Sequence, residues 1–151
     1  MSKRLTASAL NKLDTKLNTQ KVIHILANQF EVKINTFFRE SQIQNIVTTY
    51  LSLLQDLKSQ TEIDDLLIQG TIGLLNTLTL REFTDLPIPK SNSIVDLIKV
   101  SKTLLDTGIM KETFEAFDQE QMSKIEDKIK SVNSEVGKIV GELSIASTMK
   151  S

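Results

Sequence analysis

Between Met122 and Ala146 the apolar residues fall at alternating steps of three and four: Met122, Ile125, Ile129, Val132, Val136, Ile139, Leu143 and Ala146. The positions between them are mostly Lys, Glu, Asp, Ser, Gly and Asn. A period near 3.5 marks a helix that wraps another helix. Such a helix has one apolar stripe and must bury it, on its own domain or on another copy of the chain. The expectation is a C-terminal coiled-coil helix. Met122, Ile125, Ile129, Val132, Val136, Ile139 and Leu143 would form its oligomerisation seam.

The rest of the chain reads as further helices. Residues 1–18 are polar, with Leu5, Leu10, Leu13 and Leu17 spaced along them, as in an arm that becomes a short helix on contact with something. Asn18 or Thr19 can cap a helix running through Phe30. A long helix is expected from Thr36 to about Lys58, with Ile43, Val47, Tyr50, Leu54 and Leu57 as its stripe. Another starts at Thr61, where Glu62, Asp64 and Asp65 suit the positive end of the dipole. Gly70 and Gly73 inside it point to close packing, since each costs roughly 1 kcal/mol against Ala. Pro87 and Pro89 make Leu80–Asn92 a loop. Ser91 or Ser93 then caps a helix over Ile94–Asp106, Gly108 stops it, and the last helix starts near Lys111. The fold class so read is all-α, a helical bundle of 151 residues. Its parts would be a flexible basic arm (1–18), a helix-turn-helix (19–42), a helical body (43–108) and a C-terminal helix with the seam (109–151).

Composition narrows the function. The chain has no cysteine, which removes disulfides and thiolate metal sites and makes a reducing cytoplasm the default setting. No apolar run approaches a membrane span, so no membrane partner is expected. The single histidine, His24, sits in an apolar run with no nucleophile beside it, and reads as structural or solvent-facing. No phosphate-binding loop, zinc motif, calcium loop or dinucleotide turn is present. The chain is therefore expected to be no enzyme, with no catalytic residue, metal or cofactor. The net charge of -1 hides a split. Residues 1–40 carry seven basic groups against three acidic ones, net +4, and the remainder carries 11 against 16, net -5. A basic front on an acidic body suits a polyanion.

Residues 23–40 give that front a shape. Leu26 and Phe30 would line the inner face of a first helix, Ala27 would be the small contact, Val32 would anchor a turn, and Phe37 would lie inside a second helix. Glu31 occupies the turn position that such motifs usually give to Gly. Lys33, Asn35, Thr36 and Arg39 would then project from the start of the second helix, with Lys21 nearby, as groups able to reach phosphates and base edges. This stretch resembles a helix-turn-helix. With the basic arm before it and a self-associating helix after it, the layout resembles the small terminase subunit of tailed phages. That resemblance implies a ring-forming, non-enzymatic protein that binds double-stranded viral DNA for packaging and presents it to a separate ATPase subunit. The alternative is a helical structural or adaptor protein, a virion component or scaffold, that binds only protein.

Overall fold

The computed structural model describes residues 2–59 and 65–132, with side chains described for 2–57 and 73–132. In chain order these form α1 (Ala7–Lys16), β1 (Gln20–Ile25), β2 (Phe30–Asn35), α2 (Glu40–Ser59), α3 (Asp65–Phe83), α4 (Ile94–Asp106) and α5 (Ile109–Ala116). A sixth helix, α6, is described over 119–132.

The all-α expectation is corrected here, and with it the helix-turn-helix. β1 and β2 pair antiparallel, with Ile23 opposite Val32 and Ile25 opposite Phe30. Val22, Ile23, Ile25, Val32 and Ile34 are β-branched, the class that packs best on a pleated sheet. In β2 the period is two: Val32 and Ile34 are buried while Glu31 and Lys33 are exposed. The tip takes four residues, closed by Gln29 N donating to Leu26 O at 3.2 Å. Leu26, Ala27 and Asn28 all sit at positive φ, 52°, 56° and 65°. That conformation is costly for Leu and Ala and is tolerated best by Asn. Leu26 N is held in turn by the Glu112 carboxylate on α5, at 3.2 and 3.3 Å.

On its far side β2 gains a short third edge. Ile34 bridges Thr84, Asp85 N donates to Lys33 O, and Lys33 N donates to Asp85 Oδ1. The hairpin is thereby tied to the end of α3.

α2 and α3 pack together, and α2 supplies the longest run of core residues. Ile43, Val47, Tyr50, Leu54 and Leu57 of α2 are all buried, as their spacing predicts. Burial pushes the Tyr50 hydroxyl above its ordinary pKa of 10.0. The folded chain therefore keeps this proton to higher pH than the unfolded chain. Its contribution is complete below pH 10.0 and is lost as pH rises through the folded value. Denaturant titrations on either side of that pH should show wild-type stability falling more steeply above it than that of Tyr50→Phe. Equal slopes would show that Tyr50 ionises as freely folded as unfolded.

α4 packs along α3. Gly73 sets the distance of approach: a Cβ there would lie 2.6 Å from Ser101 Oγ, and Ser101 is buried. Ser101 Oγ donates to Gly73 O at 3.3 Å. Gly73→Ala gains about 1 kcal/mol of helix propensity. It loses that hydrogen bond, about 1 kcal/mol, and overpacks the contact by about 1–3 kcal/mol. The expected result is a net loss of about 1–3 kcal/mol. In a Ser101→Ala background the obstacle is gone, and the same change should stabilise by about 1 kcal/mol, the propensity gain alone. A double-mutant cycle in urea reads this directly, and simple additivity would refute the close approach.

The proline segment after α3 leaves the helix, turns where Ile88 N donates to Leu86 O at 2.8 Å, and sends Ile88 into the core. Arg81 pins it from α3 through Pro89 O, Ser91 O and Asn92 Oδ1. Ser93 caps α4, and Gly108 at φ 83° turns the chain into α5. The single last helix expected from Lys111 is two helices. Phe117 is extended at φ -72°, ψ 147°, and Asp118 Oδ1 then accepts from Glu120 N at 2.8 Å to start α6. Phe117 breaks the helix because its ring is drawn into the core, edge-on to Phe38 at 5.1 Å.

Candidate functional site

The residues expected to read DNA do not form the edge of a helix. Lys21, Lys33 and Asn35 lie on the hairpin, and Thr36 follows it. Asn35 Oδ1 accepts from Gln20 Nε2 at 3.0 Å, and the Thr36 hydroxyl donates to that of Thr19. Arg39 stands just before α2, where its carbonyl accepts from Gln42 N and Ile43 N. The structure does bring Lys33, Asn35 and Arg39 together, in an open cleft of about 630 Å³ at the base of the hairpin. Glu82 and Asp85 line the same cleft. Two cations and two carboxylates face one space, so it presents no net attraction to phosphate. Lys21 is exposed on β1. His24 is exposed opposite Glu31, and among the described residues no His/Cys/Asp/Glu group could hold a metal ion.

Arg39 has a different task. Its guanidinium donates to the Asp14 carboxylate, to Asp14 O at 2.7 Å and to Asn18 Oδ1 at 2.7 Å. All three acceptors lie at the C-terminal end of α1, where a cation also favours the helix dipole. At the other end Thr6 Oγ1 accepts from Ala9 N at 3.1 Å. α1 is thus capped at its start and clamped at its finish, yet none of its residues is buried. Leu10 and Leu13 are 55% and 53% exposed, and Leu5 before the cap is 61% exposed. Lys12 and Lys16 are exposed on another face of the helix, with Ser8, Asn11 and Thr15.

A second surface is apolar. Leu75 of α3, Phe114 of α5, and Met122, Ile125 and Ile129 of α6 line an open groove of about 360 Å³, with Glu126 and Lys130 on its rim. The first seam residues therefore pack on the chain's own body. Ile125 is buried in the core, Met122 and Ile129 are packed against it, and Val132 is half-buried. Val136, Ile139 and Leu143 lie outside the described residues. The groove needs Leu75 and Phe114 from elements far apart in sequence, and no local pattern brings them together. The α1 leucines were visible as spaced apolar residues in a polar arm.

Among the described residues no helix is long and apolar enough to cross a membrane. A family model described as YomO matches residues 7–148. No curated protein and no solved structure matches the chain.

Proposed function

We propose that this chain, which belongs to the YomO family, is a non-enzymatic adaptor or structural protein of the cytoplasm that docks on protein through α1. The observation that carries this reading is a capped helix with no buried residue and three exposed leucines at its face and entry. A helix of about ten residues is marginal in water on its own. An amphipathic helix gains its stability by burying the apolar face, and helix-in-groove docking is the common way to do so. Burying Leu10 and Leu13 contributes about 1.5–3 kcal/mol each. That is at the low end of what association costs, so one arm binds weakly and repeated contacts must add to it.

Duplex DNA is favoured less by this geometry. The phage terminase resemblance loses the helix-turn-helix on which it partly rested, since residues 20–35 form a hairpin. Arg39 is spent on α1, and Lys33 shares its cleft with two carboxylates. Exposed leucines also gain nothing from a phosphate backbone.

The test is a photo-crosslinking side chain in place of Leu13 in otherwise wild-type chain, irradiated in cells. A discrete adduct that protease removes, nuclease does not, and Leu10→Asp abolishes is the expected result. An adduct removed by nuclease would move the chain to nucleic-acid binding, and no adduct at all would defeat the docking reading.

A further inference from the structure

The two edges of the hairpin differ. Thr36 N donates to Thr19 O at 2.9 Å, which fixes the alternation of the ladder: Thr19, Lys21, Ile23 and Ile25 turn their backbone groups toward β2. Gln20, Val22, His24 and Leu26 turn theirs away. At Leu26 the Glu112 carboxylate accepts that outward N–H, at 3.2 and 3.3 Å. On the opposite edge, at the middle of β2, Asp85 engages both backbone groups of Lys33. The outward N–H and C=O groups of Gln20, Val22 and His24 have no partner among the described residues. All three residues are exposed, and Val22 keeps 49% of its surface in solvent. The stretch holds no proline and no bulge, and its one fixed charge is Lys21. Edges that stay unpaired in folded proteins are usually blunted by such features or covered.

We propose that β1 pairs antiparallel with β1 of a second copy of this chain, about a two-fold axis through Val22. The contact is separate from α1 and does not depend on how that helix is used. A bare ladder takes an extended backbone as its partner. β1 of another copy is already extended, so the pairing avoids the ordering cost that a disordered segment would carry. The register follows from the free groups. With Val22 facing the partner's Val22, Gln20 faces the partner's His24 and the reverse, so every free donor and acceptor meets a free one. The half-exposed Val22 side chains then cover each other, and Lys21 falls opposite the partner's Ile23. A register centred on Lys21 sets lysine against lysine. One centred on Ile23 sets Gln20 against the partner's Leu26, whose N–H Glu112 already holds. The pairing takes the sheet from two strands, the marginal minimum, to four. It is isologous and closes at the dimer. A strand pair this short buries less than a standard interface, so monomer and dimer exchange with concentration. Each dimer carries two α1 arms, the repeat that one weak arm needs.

The test is sedimentation of the purified full chain across a concentration series. The wild type is expected to pass from 16.9 kDa to twice that mass and no further. Val22→Lys and Val22→Glu each place like charges across the two-fold axis. Each should need about tenfold more protein than the wild type for the same dimer fraction. An equal mixture of the two sets opposite charges across the axis and should dimerise at the wild-type concentration. Val22 is exposed, so both variants should keep the wild-type melting transition. Amide hydrogen exchange of the wild type gives a readout that needs no variant. The Val22 and His24 amides should slow as concentration rises, while the Ile23 amide, which faces β2, exchanges slowly throughout. Four results would each overturn the proposal: a wild type that stays monomeric at its highest soluble concentration, a variant that dimerises as the wild type does, a mixture no better than its components, or Val22 and His24 amides whose exchange is independent of concentration. A dimer that Val22→Lys leaves intact and Leu10→Asp disperses would move self-association to α1. Failure of β1 pairing leaves the docking reading of α1 standing, since the Leu13 crosslink tests that reading separately.

Discussion

Replacing Phe38 with Ala is expected to lower stability by about 3–5 kcal/mol, the usual cost of removing a buried aromatic ring. Phe38 is fully buried. Its ring stacks on Phe83 of α3 at 3.9 Å and 5°, and meets Phe117 edge-on at 85°. Its backbone is engaged as well: Phe38 N donates to Gln121 Oε1 at 2.9 Å, and Phe38 O accepts from Lys124 Nζ at 3.4 Å. One residue therefore joins the end of the hairpin, the α2–α3 pair and the start of α6. A domain of this size has roughly 5–15 kcal/mol of stability in all. The loss corresponds to a fall in Tm of about 10 °C. Phe38→Leu keeps much of the apolar volume and should cost about half as much. Thermal melts of the three proteins decide it. A Tm unchanged in Phe38→Ala would mean that the three rings do not form the joint of the fold.

Ile125→Asp should be more damaging still. Ile125 is 5% exposed and belongs to the same core cluster as Phe117 and Leu78. Ile→Ala at such a site costs about 2–5 kcal/mol. A carboxylate adds the cost of burying a polar group with no partner, several kcal/mol more. The sum reaches the whole stability of a small domain, so the cooperative melt should be lost. The 3.5-residue seam alone suggested another outcome, a lower oligomer mass with the body intact. Thermal unfolding followed beside sedimentation separates the two. A preserved melt with reduced mass would place Ile125 between subunits after all.

Some of this protein is written locally. The stripe of α2, the proline break after α3, the serine cap of α4 and the glycine before α5 each depend on residues within one or two turns of chain, and each could be read from spacing and type. The close approach at Gly73 was signalled by a glycine inside a helix, although only the fold shows that Ser101 is what it admits. The charge split was legible too, but not its use: Arg39 is one of the seven basic groups of the front, and it serves to clamp α1.

The hairpin was missed because residues 19–37 support two periods at once. Val22, Ile23, Ile25 and Leu26 make an apolar cluster that a helix could bury on one side. Glu31, Val32, Lys33 and Ile34 alternate as a strand does. The Glu at the supposed turn glycine was the local sign against two helices. What decides between the periods lies outside the segment. Asp85 pairs with Lys33, and Glu112 holds the left-handed tip at Leu26. The same holds for the seam, whose stripe shows that it must be buried and not what covers it. Leu75 and Phe114 supply that cover, and they reach it only after α3 and α5 have packed. Periodicity fixes which face of an element is apolar, because it follows from backbone geometry. Which face meets which is decided by long-range contacts, whose loop-closure cost and packing gain no single stretch of sequence contains.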